Sequence, residues 1–386
     1  MNDTVCILTH GLYDSRGEEL QIGGVQTYTA ELAELLATRG SRRVVVVQPA
    51  AMPFTRTYGS GVTVHGIRGG RWSLWKHYWQ NYRNRTALTV FANFSFAIWG
   101  GHEPTLAIQH GIAHDGFYSP YNGLARAAHK GLATCLYVRR MRRLKATLNK
   151  MDRIICVDLN FPNWVRAHFP LRRWEDKLVY VPNFGIPLPE EQITRKLAAV
   201  DGPQQVLIAR RFAPERGFPL IGKIISELAP EYPQHRFLFA GEGELSEELR
   251  RQIQPHANCA IAKLSRAALH ETYRDCSVSI IPTLWSEGTS LSCIESMCNG
   301  LAVVATSVGG LGNIILGGFN GELVSPVERE IKAGIRRILD NRDYARTLAY
   351  NGWLTAKNCF SLEAWQERVT RVLDSLGYDE TVEPCC

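Results

Sequence analysis

Ser279-Ile-Ile-Pro-Thr-Leu-Trp-Ser-Glu287-Gly-Thr-Ser-Leu-Ser-Cys-Ile-Glu295-Ser-Met-Cys-Asn-Gly300-Leu-Ala-Val-Val-Ala305 decides the fold. Ser279 to Pro282 reads as a buried strand and Leu301 to Ala305 as the next. Between them, Ser290 to Asn299 has the length and end signals of a crossover helix. Ser290 is able to cap its start, and Gly300 is placed to end it in a left-handed turn. Strand, loop, helix, strand is a parallel βαβ unit. Ligands bind such units beyond the carboxyl ends of the strands, where the loop with Glu287, Gly288 and Thr289 lies.

The residues of that loop suit a particular ligand. Free N–H groups at Thr289, Ser290 and Leu291 attract a phosphate, and Gly288 lets the backbone approach it closely. Glu287 in the loop and Glu295 about one turn into the helix repel an anion but accept sugar hydroxyls. The chemistry indicated is a nucleotide sugar held by its phosphates at the helix start, with one Glu on each sugar ring. A surface helix with two unrelated acids is the other reading, and spacing alone does not separate them.

The N-terminal half repeats the α/β pattern. Val5 to Thr9 and Val44 to Gln48 read as strands, with Val25, Tyr28, Leu32, Leu35 and Leu36 at helical spacing between them. Gly23 and Gly24 open that helix, and their N–H groups are suited to phosphate. Further on, Leu106-Ala-Ile-Gln-His110 is a short strand that delivers His110 to a turn at Gly111, with His114 and Asp115 close by. The prolines of Val179-Tyr-Val-Pro-Asn-Phe-Gly-Ile-Pro-Leu-Pro189 stop a strand and stiffen a linker. Ser361 to Leu376 reads as a capped amphipathic helix.

Composition narrows the classes. The 386 residues suffice for two cores of ordinary size, and 45% hydrophobic with 21% charged residues reads as globular. No apolar run reaches the length of a membrane span. No secretory leader is evident at the start, and the ten cysteines lack metal-binding spacing, which together indicate a reducing cytosol. Adjacent Cys385 and Cys386 read as an inert tail, with lipidation as the alternative.

Charge is lopsided. Residues 1–150 hold 18 Lys and Arg against 8 Asp and Glu, although the whole chain carries only +7. No acid falls between Glu34 and Glu103 or between Asp115 and Asp152. In the first gap Trp72, Trp75, Trp79 and Tyr82 form one aromatic helical face beside Lys76, Arg83 and Arg85. This pairing suits an anionic membrane surface; solvated arginines over core aromatics are the equal alternative. No zinc finger, aromatic RNP pair or helix-turn-helix speaks for nucleic acid.

The run Glu287 to Glu295 is similar to the Glu-x7-Glu element of retaining glycosyltransferases of family four. Gly300 to Leu311 resembles that family's strand and Gly-Gly turn, and Asn320-Gly-Glu-Leu-Val-Ser-Pro326 its Asn-Gly-x-Leu-Val-x-Pro segment. Gly23-Gly-Val-Gln-Thr-Tyr-Thr-Ala-Glu-Leu32 resembles its Gly-Gly loop, and Val181 to Ile186 its hinge, with Phe184 where Gly is usual. Gln205-Val-Leu-Ile-Ala-Arg-Arg-Phe-Ala-Pro-Glu-Arg-Gly217 resembles its Gly-Arg-Leu strand end followed by Pro-Glu-Lys-Gly. In that alignment Arg211 takes the place of the motif's Arg, Arg216 that of its Lys, and Arg210 stands where the pattern has Gly.

The resemblance implies an α/β fold of two Rossmann-like domains with parallel sheets facing a central cleft, the GT-B architecture. The implied domains are 1–185 plus 362–386 on the acceptor side and 186–361 for the nucleotide sugar. It also implies transfer of a sugar from a nucleoside diphosphate sugar to an acceptor hydroxyl with retention, needing no cofactor or metal. Arg211 and Arg216 would grip the diphosphate, Glu287 the sugar and Glu295 the ribose, while His110 faces the sugar from the first domain. Lys263 and Leu264 would border the base. The acceptor indicated is a glycan or lipid-linked precursor in envelope polysaccharide, lipopolysaccharide or glycolipid assembly. The place indicated is the cytoplasm, including the inner face of the membrane. An epimerase of similar build and a non-catalytic sugar-nucleotide binder are the alternatives. Phe237-Leu-Phe-Ala-Gly-Glu-Gly-Glu-Leu-Ser246 also begins like a dinucleotide fingerprint, but Ser246 replaces the third glycine and two acids would repel a pyrophosphate.

Overall fold

The computed structural model describes residues 3–378 apart from 22, 41, 84, 100–103, 112–129, 170–173, 200, 201, 203 and 286. His114, Asp115, Cys385 and Cys386 lie outside the described residues. Contacts divide the chain into two compact units. One comprises Met1–His110, His114–Val181 and Gln366–Cys386, the other Gly111–Ala113 and Pro182–Trp365.

The first unit holds an eight-stranded sheet. Its strands are β1 (Thr4–Leu8), β2 (Arg43–Ala50), β3 (Phe54–Tyr58), β4 (Val62–Arg68), β5 (Thr86–Phe91), β6 (Thr105–Gln109), β7 (Arg153–Cys156) and β8 (Leu178–Tyr180), in the order β3-β4-β2-β1-β5-β6-β7-β8. Val5 to Leu8 and Val44 to Val47 are buried without interruption, as strands covered on both faces must be. Every pairing is parallel except β3 with β4, a hairpin at the sheet's edge. The sheet reverses its direction of growth between β1 and β5.

The helix Gly24–Arg39 buries Tyr28, Leu32 and Leu36. In the helix Arg71–Asn81 the expected single aromatic face splits. Leu74, Trp75 and Tyr78 turn into the core, where Trp75 lies 5.8 Å from Phe91, while Trp72 is 77% and Trp79 41% exposed. The reason is geometric: residues three apart diverge by about 60° around a helix axis, enough to put Trp75 inside and Trp72 outside.

The second unit holds β9 (Gln205–Ala209), β10 (Arg236–Ala240), β11 (Cys259–Ala262), β12 (Val278–Ile281), β13 (Ala302–Thr306) and β14 (Glu322–Val324), in the order β11-β10-β9-β12-β13-β14. All pairings are parallel. The chain starts at the centre with β9, works outward to β11, then returns to lay β12 beside β9. That return makes the β9/β12 pair the topological switch point, where the loops leave in opposite directions and open a crevice. Ile221, Ile224, Ile225 and Leu228 of the helix Phe218–Leu228 share a core with Phe237, Phe239 and Ile331, Ile335 and Ile338 of the helix Glu328–Asp340. Each such side chain contributes about 1.5–3 kcal/mol by its burial.

Phe184 stands where the family pattern has Gly because it fills space against Trp365, with ring centroids 4.6 Å apart and both rings buried. Beyond Trp365 the helix Leu362–Asp374 continues into the first unit. Arg39 pairs with Asp374 at 2.7 Å, and Arg42 Nη1 donates to the Tyr378 carbonyl at 2.6 Å.

Candidate active site

Two loops leave the switch point of the second sheet. One follows β9 and carries Arg210 and Arg211, then the single helical turn Pro214–Arg216; the other follows β12 and carries Thr283 to Ser290. They meet at Glu287. Arg210 Nη2 donates to Glu287 Oε2 at 2.6 Å, Arg210 Nη1 donates to Thr283 Oγ1 at 2.8 Å, and Thr283 Oγ1 donates to the same Glu287 oxygen at 2.9 Å. Arg216 Nη1 donates to that oxygen as well. The side chain of Glu287 is 8% exposed and that of Arg210 5%. Burial pushes the carboxyl upward, but Arg210 and then Arg216, with the hydrogen bonds, outweigh it and hold Glu287 below the usual carboxylate range.

Arg211, expected to grip phosphate beside Arg216, turns the other way. Its guanidinium pairs with Glu215 and is 67% exposed. Arg210, read from sequence only as a departure from a glycine, takes the interior position. Successive residues beyond a strand end point to opposite sides. The adjacent arginines therefore divide, one into the network and one toward solvent.

The Glu287 loop is pinned on its backbone. Gly310 N donates to the Glu287 carbonyl at 2.8 Å, and Gly309, at φ 56°, lies so close that a Cβ there would stand 2.2 Å from that carbonyl oxygen. Asn183 Nδ2 donates to the Thr289 carbonyl at 2.6 Å. The helix that follows is Leu291–Cys298, ended by Gly300 at φ 67°. Ser290 precedes it, but its side chain makes no capping bond; its hydroxyl is buried without a hydrogen-bond partner, which corrects the expected cap. Thr289 and Ser290 are buried, Gly288 and Leu291 half-buried.

Glu295 sits one turn into that helix beside Tyr273 and Arg266. Burial pushes its carboxyl up to about 7, against the pull of the Tyr273 hydroxyl and of Arg266. Its carboxyl therefore still changes charge near neutral pH. Lys263, 74% exposed, pairs with Glu242 at 2.9 Å, while Leu264 packs beside Ala209, Ala240 and Tyr273. The Gly241-Glu-Gly243 turn has a packing reason. Cβ atoms at Gly241 and Gly243 would stand 2.1 Å and 2.3 Å from the Arg210 and Phe212 carbonyl oxygens, so the turn lies directly against the backbone of the arginine loop. Phe212 N donates to the Glu242 carbonyl at 3.0 Å.

In the first unit, His110 follows β6. Its Nε2 lies 2.9 Å from the Ala92 carbonyl, so Nε2 carries the proton and Nδ1 is an acceptor; Tyr28 meets the ring edge-on at 5.4 Å. Burial lowers its pKa to about 4, partly restrained by the Ala92 carbonyl, and the ring is neutral at physiological pH. Gly23 precedes the helix Gly24–Arg39 without a side-chain cap, leaving its first N–H groups to other partners. Sequence reading singled out neither Thr283, four positions before Glu287 on the same loop, nor Tyr273, which the helix Arg266–Asp275 brings beside Glu295.

Residues 189–355 match the family model of glycosyl transferases group 1. The chain is 28% identical over 175 residues to an uncharacterized glycosyltransferase of Methanocaldococcus jannaschii, covering 44% of this chain and 48% of that one. It is 24% identical over 328 residues to a component of human phosphatidylinositol N-acetylglucosaminyltransferase, covering 81% and 63%. The chain thus spans about half and under two thirds of the lengths of these curated relatives. Among solved structures, sucrose-phosphate synthase from Thermosynechococcus elongatus superposes with a TM-score of 0.78 at 18% identity, covering 97% and 99% of the two chains. Anabaena HepE in complex with UDP-glucose gives 0.70 at 16% identity, covering 96% and 99%. The fold is that of GT-B glycosyltransferases.

Proposed function

We propose that the protein transfers a sugar from a nucleoside diphosphate sugar to an acceptor hydroxyl with retention at the anomeric carbon. The observation that carries this reading is the meeting of Arg210, Arg216 and Glu287 at the β9/β12 switch point, with exposed Arg211 on the same loop. Every one of these residues lies inside the segment matched by the group 1 family model. Arg216 takes the diphosphate, joined by Arg211 once its exposed guanidinium leaves Glu215, and the helix start at Thr289 to Leu291 adds its N–H groups. Charge growing on the departing phosphate is thereby met by fixed donors, which lowers the barrier without reorganisation. Glu287 accepts hydroxyls of the sugar and ionised Glu295 those of the ribose. Retention follows if the acceptor attacks on the face the diphosphate leaves, its proton passing to the leaving phosphate oxygen.

A uracil base is the first to test, because HepE was solved with UDP-glucose and the human relative is named for N-acetylglucosamine transfer. The proposed acceptor is a lipid-linked or envelope glycan precursor met at the cytoplasmic face of an anionic membrane. Its support is the helix Lys130–Lys150, where Arg139, Arg142, Arg143 and Lys145 are exposed beside Tyr137 and Val138, and no acid intervenes. Flotation with phosphatidylglycerol vesicles but not phosphatidylcholine vesicles is expected; equal behaviour with both would remove this part.

The decisive experiment is a thermal-shift panel of UDP-, GDP-, ADP- and dTDP-sugars, since a ligand that binds only the folded state raises its melting temperature by mass action. One base series is expected to stabilise the protein. If none does, the donor reading fails. Product analysis with the stabilising sugar then separates transfer from isomerisation of the donor alone.

A further inference from the structure

We infer that Arg210 is a positioning residue: the permanent counter-charge that keeps Glu287 an aimed carboxylate while Arg216 turns to the donor's diphosphate. This rests on the donor reading given above, and its test is separable from it.

Three donors converge on one oxygen, and they differ in how firmly they are held. Arg210 is fixed at both terminal nitrogens, one on Glu287 and one on Thr283, whose hydroxyl closes the ring by donating to Glu287. Its side chain is 5% exposed, and Thr283 is fully buried. Arg216 reaches the same oxygen from a single helical turn and is 28% exposed. A diphosphate brings more negative charge than one carboxylate, so it wins the competition for the accessible arginine. Were Arg216 the only cation, its departure would strand a buried carboxylate, which relieves the cost of desolvation by taking a proton. A protonated Glu287 donates where it should accept and loses its hold on the sugar hydroxyls. Arg210 prevents this because its guanidinium is buried and held at both ends.

The remaining titratable neighbours do not take over the role. Burial pushes the Cys293 thiol up to about 12 and the Tyr273 hydroxyl well above its ordinary value, so both stay neutral.

The test uses the full chain with Arg210→Met, Arg210→Lys and the double variant Arg210→Met/Glu287→Gln. With saturating UDP, which draws Arg216 away from Glu287, the stability of Arg210→Met is expected to fall, relative to the double variant, as pH rises above the usual carboxylate range; without UDP, Arg216 still pairs with Glu287 and the fall should be smaller. A raised folded pKa makes the folded state bind the extra proton, and that advantage is lost on ionisation. Arg210→Lys keeps the charge and should show no such slope. In turnover, Arg210→Met should lose kcat about 10- to 100-fold at pH 6 and recover it towards pH 9, with UDP affinity changed less than about threefold. The double variant replaces a buried charge pair by groups of similar size and remains informative if the single variant does not fold. Superimposable pH profiles of Arg210→Met and the double variant would overturn the inference. So would a Lys variant that behaves like Met, or Arg210→Met weakening UDP as much as Arg216→Ala, since Arg210 would then be a phosphate ligand. The donor reading fails differently: Arg216→Ala would leave UDP binding untouched.

Discussion

Asn183 and Thr289, 106 positions apart in sequence, are joined by a 2.6 Å hydrogen bond from the Asn183 amide to the Thr289 carbonyl. The segment that enters the second unit thereby holds the loop that presents Glu287. Both residues are buried, so removing the donor takes a hydrogen bond from a carbonyl that lies away from water. Asn183→Ala should cost about 1–3 kcal/mol in urea denaturation, and nucleotide affinity should weaken with it. An unchanged midpoint would show that this contact is ornamental.

Arg216 and Arg211 should divide the binding of diphosphate. Charge-assisted bonds to phosphate are worth about 1.5–3 kcal/mol each, so Arg216→Ala and Arg211→Ala should each weaken UDP roughly 10- to 100-fold in calorimetry. The melting temperature without ligand should hardly move for Arg211→Ala, because that guanidinium is mostly in solvent. Full affinity in both variants would remove the phosphate role.

Gly309→Ala should disturb the site without touching a ligand. At φ 56° a side chain is strained, and its Cβ would collide with the Glu287 carbonyl. Destabilisation of about 1–3 kcal/mol is expected, together with a loss of turnover larger than the loss of UDP affinity. Equal losses, or none, would contradict the view that this glycine sets the Glu287 backbone.

Glu295 and His110 should give opposite pH slopes. Glu295 has a folded pKa of about 7, above its ordinary 4.5, so the folded state holds a proton the unfolded chain has released; its contribution to stability falls as pH rises through that window. His110 has a folded pKa of about 4, below its ordinary 6.5, so its contribution rises with pH through 4 to 6.5. Where the windows overlap, the two partly cancel in the parent protein. Glu295→Gln should therefore gain stability relative to the parent on going from pH 5 to pH 8, and His110→Gln should lose less stability than the parent on acidification. Parallel curves for all three would mean that neither group is perturbed as its surroundings imply.

The architecture was legible because it rests on long signals. Uninterrupted apolar runs such as Val44 to Val47 and Val303 to Ala305, with glycines and caps between them, admit few alternatives to parallel α/β units. The placement of Glu287 on the loop and Glu295 on the helix was legible, since loop and helix are contiguous in sequence. Side-chain direction was not. Which of Arg210 and Arg211 enters depends on the pleat at the end of β9, and a motif aligned by position does not encode it. The same limit hid the split between Trp72 and Trp75. Ser290 had the right type and place for a cap, yet its hydroxyl makes no capping bond. Thr283 is close to Glu287 in sequence, but its bond depends on how the loop folds back, and Tyr273 meets Glu295 only through the packing of its helix.

The second unit is drawn almost wholly from one continuous stretch, Pro182 to Trp365, whereas the first needs residues from both sides of it. On a translating ribosome the later-made half can reach its final packing while the earlier-made half still waits for the helical segment bearing Val369, Leu373 and Asp374. Maturation is thus expected to run against the order of synthesis, and premature termination after Trp365 would leave a finished second unit beside an unfinished first.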